Sequence, residues 1–117
     1  MARTLQAWFD RADELASAGR YFDAHEELEA GWLAAAGDEK ILLQGLIQLA
    51  AGLHRLKLDP SKTDGAFYLF DHGLEKLNRA KCLLILETLA SLEAKVREIR
   101  SSGRAPESLT FGLKRSA

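Results

Sequence analysis

Disulfides, helix breaks and charge of one sign are what this chain has least of. Its single cysteine, Cys82, can close no internal disulfide and has no second cysteine with which to hold a metal. Prolines stand only at positions 60 and 106, so most of the chain lacks the residue that most reliably stops a helix. Lys and Arg number 16 against 17 Asp and Glu, a net charge of −1. That leaves no overall basic field for nucleic acid, which is disfavoured as a partner, and no acidic excess of the kind seen in solvating tails. Long apolar runs are absent too. The greasiest window, residues 41–53, is interrupted by Gln44 and Gln48 and is too short to span a bilayer. Asp10, Asp13 and Glu14 fall where a signal peptide needs its apolar stretch. These absences give a cytoplasmic, reducing setting with no membrane and no cofactor as the expectation.

What is present is enough apolar sequence for a core. Hydrophobic residues make up 47% of the 117 and charged ones 28%, the balance of an ordinary globular chain large enough to fold without staples. Residues 1–100 read as a single all-helical domain and 101–117 as an irregular tail, with Phe111 as its anchor. The first helix spans about 4–18, capped by Thr4, with Leu5, Trp8, Ala12, Leu15 and Ala16 on one face. The second spans about 20–36 and stops at Gly37. Asp38 is placed to cap the third, which is apolar almost all round to Leu58 and therefore central. A fourth opens near Thr63, with Ala66, Phe67, Phe70, Gly73, Leu74 and Leu77 inward. The fifth covers about 81–100, with Cys82, Ile85, Leu86, Leu89, Leu92, Val96 and Ile99 inward. No Gly or Pro marks the boundary between the last two. Gly19-Arg20-Tyr21-Phe22-Asp23 and, further on, Thr63-Asp64-Gly65-Ala66-Phe67 each precede a helix in the manner of tetratricopeptide hairpins. The fold class expected is all-α: a compact bundle of about five helices, two such antiparallel hairpins plus a closing C-terminal helix.

The chemistry-bearing stretch is residues 21–32. At about 100° per residue, Tyr21, Phe22, Leu28 and Trp32 fall within roughly 60° of His25, and Glu29 lies about 40° away. Ionisable groups amid an apolar stripe are costly unless paired. A tight turn at Gly37 makes the second and third helices antiparallel neighbours. Counting back from it places Gln44 level with Glu29 and Trp32, and Gln48 level with the gap between His25 and Glu29. Gln44, Gln48, Ala51 and Arg55 form one strip of the third helix, and Gly45 and Gly52 form another, where a neighbour can approach closely. His25, Glu29, Gln44 and Gln48 are thus brought together.

Such a cluster has two kinds of use. As structure, Glu29 accepts from His25 one turn away and the amides complete a network that fixes helix register. As chemistry, it is a site for a small ligand or a protein partner, or His25 is a general base oriented by Glu29 in a small hydrolase-like or metal-assisted enzyme. A metal is disfavoured. Glu29 stands where the zinc-protease helix motif has its second His, so only two ligands share the face. His54, level with Tyr21, lies more than a turn from Glu29. Of the other singular residues, Cys82 reads as a small core hydrophobe and His72 as exposed. Arg97, Arg100, Arg104, Lys114 and Arg115 make the C-terminal region locally basic. Self-association as a homodimer is compatible with so small a helical domain.

Phe22-Asp23-Ala24-His25-Glu26-x-Leu28-Glu29-x-x-Trp32, then Leu43-Gln44-Gly45-Leu46-Ile47-Gln48-Leu49-Ala50-Ala51, then Gly65-Ala66, together resemble a family of small all-helical, mainly bacterial proteins, the domain of unknown function 309 family. The resemblance covers roughly residues 5–78. It implies a compact helical domain and no established activity or cofactor. The family's polar motif positions fall on His25, Glu26, Glu29, Trp32, Gln44 and Gln48, which become the candidate ligand-binding residues, with His25 and Glu29 the catalytic candidates. Ala30-Gly31 departs from the bulkier pair the family has before its Trp, which is expected to loosen the second helix there.

Overall fold

Thr4 starts the first helix by accepting the Ala7 amide on its hydroxyl at 3.1 Å, which satisfies one of the donors a helix start leaves open. In the computed structural model, which describes residues 3–117, five α-helices follow: α1 (Leu5–Ser17), α2 (Tyr21–Ala34), α3 (Gly37–Leu58), α4 (Thr63–Arg79) and α5 (Leu86–Ser102). The first four are joined by the short turns 18–20, 35–36 and 59–62, so each packs on the next, and α3 is flanked by α2 and α4. Leu42, Leu43, Leu46, Leu49, Ala50, Leu53 and Leu56 of α3 are all sealed from solvent, as expected of a helix with apolar residues on most sides. The Cα radius of gyration is 13.0 Å, close to the about 13 Å of a well-packed domain this size.

Small residues set how closely the helices cross. A Cβ at Gly45 would lie 2.8 Å from the Gly73 carbonyl oxygen, and one at Gly73 would lie 2.7 Å from that of Gly45. α3 and α4 therefore touch backbone to backbone at this pair. Gly52 does the same for the Phe70 ring. Gly31 receives the Trp8 indole, whose nearest atom is 2.7 Å from where a Cβ would be. The Ala30-Gly31 departure is thus a seat for Trp8 rather than a loose point, and it locks α1 onto α2.

Three local expectations need correction. Asp38 does not cap α3: the residue before the helix is Ala36, no side chain caps it, and Asp38 lies in the first turn, where its charge still favours the N-terminal dipole. The last helix begins later than 81. After α4 the chain makes a 3-10 turn at Lys81–Leu83 and enters α5 at Leu86. That turn leaves Cys82, Ile85 and Leu86 exposed, and buries Leu84 instead. Thirdly, His72 is half-buried, with its ring 4.2 Å from that of Tyr68.

Beyond Gly103 the chain forms a strap. Along residues 109–113 Leu109, Phe111 and Leu113 are buried and Thr110 is exposed, an alternation laid on the core and bent at Gly112, whose φ is +70°. Phe111 and Gly112 donate their amides to the Asp13 carboxylate of α1 at 2.7 and 3.1 Å. Lys95 of α5 donates to the Thr110 carbonyl at 2.6 Å, and the Tyr21 hydroxyl donates to the Pro106 carbonyl at 2.5 Å. Leu84 and Arg115 form an antiparallel bridge. Burial pushes the Asp13 carboxyl above its ordinary 3.8, with the two amide bonds and Lys95 and Lys114 pulling the other way. Burial likewise carries the Tyr21 phenol up to about 12. The C-terminal cations are partly taken up by acids: Arg100 pairs with Asp71, Lys114 lies 4.0 Å from Asp10, and Arg115 lies 4.0 Å from Glu39. Among the described residues no helix is long and apolar enough to cross a membrane.

Candidate functional site

Along the open edge of α2, Phe22, His25, Glu29 and Leu33 recur at helical spacing and face the groove beside α3. His25 Nε2 lies 3.0 Å from Glu29 Oε1, one turn away, with the two side chains 24% and 51% exposed. That contact sets the carboxylate on the Nε2 side of the imidazole. Nδ1 is buried and has no hydrogen-bond partner, and Trp32 Nε1 shares that condition; no other side-chain nitrogen or oxygen among the described residues does. Each such group costs about 1–3 kcal/mol. Both lie on α2, two turns apart. Lys40 Nζ sits 4.3 Å over the Trp32 ring, a cation–π contact that holds the indole in place.

Two clefts open on either side of the pair. The larger, about 400 Å³, is walled by Phe22 and His25 of α2, by Ala51, His54, Arg55 and Leu58 of α3, by Asp59 and Lys62 of the following turn, and by Leu69 of α4. Phe22, 47% exposed, stands between two imidazoles, its ring centroid 6.0 Å from that of His25 and 5.1 Å from that of His54. The smaller, about 290 Å³, lies between Glu29, Trp32 and Leu33 of α2 and Gln44 and Ile47 of α3. Asp59 is spent on the turn. Its carboxylate accepts the Ser61 hydroxyl at 2.6 Å and the Ser61 amide at 3.1 Å, and these bonds hold it below its ordinary value and so ionised.

The six motif positions do not all meet. His25 and Glu29 pair; Glu29, Trp32 and Gln44 share the smaller cleft; His25 belongs to the larger. Gln48 turns instead to α4, its amide oxygen accepting Lys76 Nζ at 2.9 Å, while Glu26 is exposed to solvent. The physical reason is rotation. Gly45 and Gly73 bring α3 so close to α4 that the next turn's polar residue, Gln48, lies within reach of an α4 lysine. Phe22, His54, Arg55 and Lys62, absent from the motif set, are the residues the larger cleft adds. A signal for them exists in the sequence. The strip Gln44, Gln48, Ala51, Arg55 continues one turn to Leu58, and His54 is level with the start of α2.

Chemically, the site offers hydrogen-bonding and ionic groups at the rims of apolar clefts. No three His, Cys, Asp or Glu side chains gather as a metal site among the described residues. A family model described as a domain of unknown function (DUF309) matches residues 9–68, a stretch that includes both clefts except for Leu69. No curated protein and no solved structure matches the chain.

Proposed function

The chain belongs to the family of the domain of unknown function (DUF309), which assigns no chemistry, and from its site we propose that it is a small-molecule binding module. Its binding face is the groove between α2 and α3, centred on His25 and Glu29, with Trp32 and Gln44 on one side and Phe22 and His54 on the other. The observation that carries this reading is the position of the pair on the wall between two open clefts, with Phe22, Leu33 and Leu58 left exposed around it. Concave, largely apolar sites with a few placed polar groups are where small ligands bind. Tight helical hairpins in series, of the tetratricopeptide-like kind, supply a rigid frame for such a face. An exposed, free Cys82 accords with a reducing, cytoplasmic setting.

An enzyme with His25 as general base fits the geometry less well. Glu29 stands 3.0 Å from Nε2, and the other nitrogen, Nδ1, is buried away from a substrate's reach.

Titration with the neutral dye N-phenyl-1-naphthylamine tests the binding reading. Saturable binding is expected, weakened at least about tenfold by Ala51→Phe, which fills the larger cleft from its floor. Equal binding by a folded Ala51→Phe chain, with the same melting temperature as the parent, overturns it.

A further inference from the structure

We propose that the larger cleft takes a flat ring that carries an oxyanion, such as an aromatic carboxylate, sulfonate or phosphate monoester. The inference rests on the binding reading above and goes on to the ligand's chemical class. Its first ground is charge. Arg55 and Lys62 line the cleft, and among the described residues neither side chain has an ion-pair or hydrogen-bond partner. Many of the other cations are engaged, Arg3 and Arg11 by Glu27, Arg20 by Asp23, Arg79 by Glu75 and Arg100 by Asp71, and those that are not, Lys81, Arg97 and Arg104, lie outside this cleft. Lys57, Lys76 and Lys95 donate to the Gly19 carbonyl, Gln48 and the Thr110 carbonyl. The cleft's one carboxylate, Asp59, is bonded to Ser61 and stays ionised, within electrostatic reach of Lys62. With two cations against the one ionised carboxylate of Asp59, the cleft keeps an excess of one positive charge, which an anion would neutralise.

The second ground is the placement of Arg55. Its Nη1 lies 2.6 Å from where a Cβ on Gly65 would stand, so the exposed guanidinium lies against the first turn of α4 in the space a missing side chain leaves. A guanidinium without a partner in the fold can present its planar fork to a carboxylate or phosphate through two parallel bonds. Gly65 is needed for that seat.

The third ground is the ring wall. Phe22 is half-exposed yet braced by His25 and His54, a stacking surface already ordered before a ligand arrives. Ala51, Leu58 and Leu69 supply the apolar floor and sides. A volume of about 400 Å³ is that of a compact molecule rather than of a peptide helix or a polymer. Ring on Phe22, anion on Arg55 and Lys62: the cleft separates the two requirements onto opposite walls, α2 against the α3–α4 turn.

The test compares two dyes of one skeleton type, 1-anilinonaphthalene-8-sulfonate and the neutral N-phenyl-1-naphthylamine, by fluorescence titration at low salt. The sulfonate is expected to bind at least about tenfold more tightly than the neutral dye. Arg55→Gln should erase that preference, weakening the sulfonate dye at least about fivefold more than the neutral one. Lys62→Gln, on an exposed turn where no packing is disturbed, should reduce it about threefold, and Arg97→Gln, remote on α5, should leave it unchanged. Phe22→Ala should weaken both dyes. Displacement of the sulfonate dye by 1-naphthoate and by 1-naphthyl phosphate, but not by 1-naphthalenemethanol, completes the support. A neutral dye that binds as tightly as the sulfonate, or a sulfonate affinity unmoved by both Arg55→Gln and Lys62→Gln, overturns the oxyanion inference and leaves the binding module standing. Loss of all saturable dye binding sinks both.

Discussion

Glu29 holds His25 from a half-exposed position one helical turn away, and exposed pairs of that spacing contribute only about 0.3–0.5 kcal/mol. Glu29→Gln is therefore expected to lower the melting temperature by about 3 °C or less. His25→Ala removes ring packing but also an unpartnered buried nitrogen, and the two partly offset, for a net loss of about 1 kcal/mol. Thermal melts of both variants check this. A loss above about 2 kcal/mol in each would make the pair a structural clamp and take away the ground for a binding site at it. Single residues were the part of this site most legible in sequence. A histidine and a glutamate one turn apart on an apolar stripe can hardly avoid pairing, and the pair is found. Gln48 was less legible, because its partner depends on the rotation of α3, which no count of residues along the chain reveals.

At the level of helices, the glycines of α3 admit the close approach expected of them and decide how the bundle is spaced. Alanine at position 45 would gain up to about 1 kcal/mol of helix propensity in isolation. In place, its Cβ meets the Gly73 carbonyl at 2.8 Å and the Leu77 side chain at 3.1 Å, and one of those contacts is backbone, which cannot step aside. Gly45→Ala is expected to cost about 2–3 kcal/mol net, read as a lowered urea midpoint with unchanged slope. A raised midpoint would mean the α3–α4 crossing is looser than described. Periodicity located the helices well because each buries one broad stripe. It failed at residues 80–85, where the apolar pattern runs on without interruption. There the chain turns because Leu84 and the strap bond to each other across the bundle, a contact between distant residues that leaves no local mark.

For the whole molecule, the strap matters most. Phe111 is fully buried, and Phe111→Ala is expected to cost about 3–5 kcal/mol in chemical denaturation, a large share of the about 5–15 kcal/mol that a domain has in all. A loss under about 1 kcal/mol would mean the strap merely rests on the bundle. Asp13, which receives the strap's amides, sets a pH signature. Its folded value lies above the ordinary 3.8, so the folded state binds the proton more tightly than the unfolded chain does. The stability this group contributes is full below about 3.8 and is lost as pH rises through the folded value. The melting temperature of the parent relative to Asp13→Asn should accordingly fall as pH rises from 3.8 through the folded value, and a relative rise would contradict the burial assigned to this carboxyl. The alternation of Leu109, Phe111 and Leu113 was visible in the sequence, but its destination was not, since the acceptor at Asp13 stands 98 residues earlier. That separation also bears on how the protein is made. At about 5–20 residues per second, a ribosome reaches Phe111 roughly 5–20 s after Asp13. Throughout that interval the nascent α1 has no cover for the face the strap will close, and the chain emerges with an apolar flank that only its own late-made segment can seal.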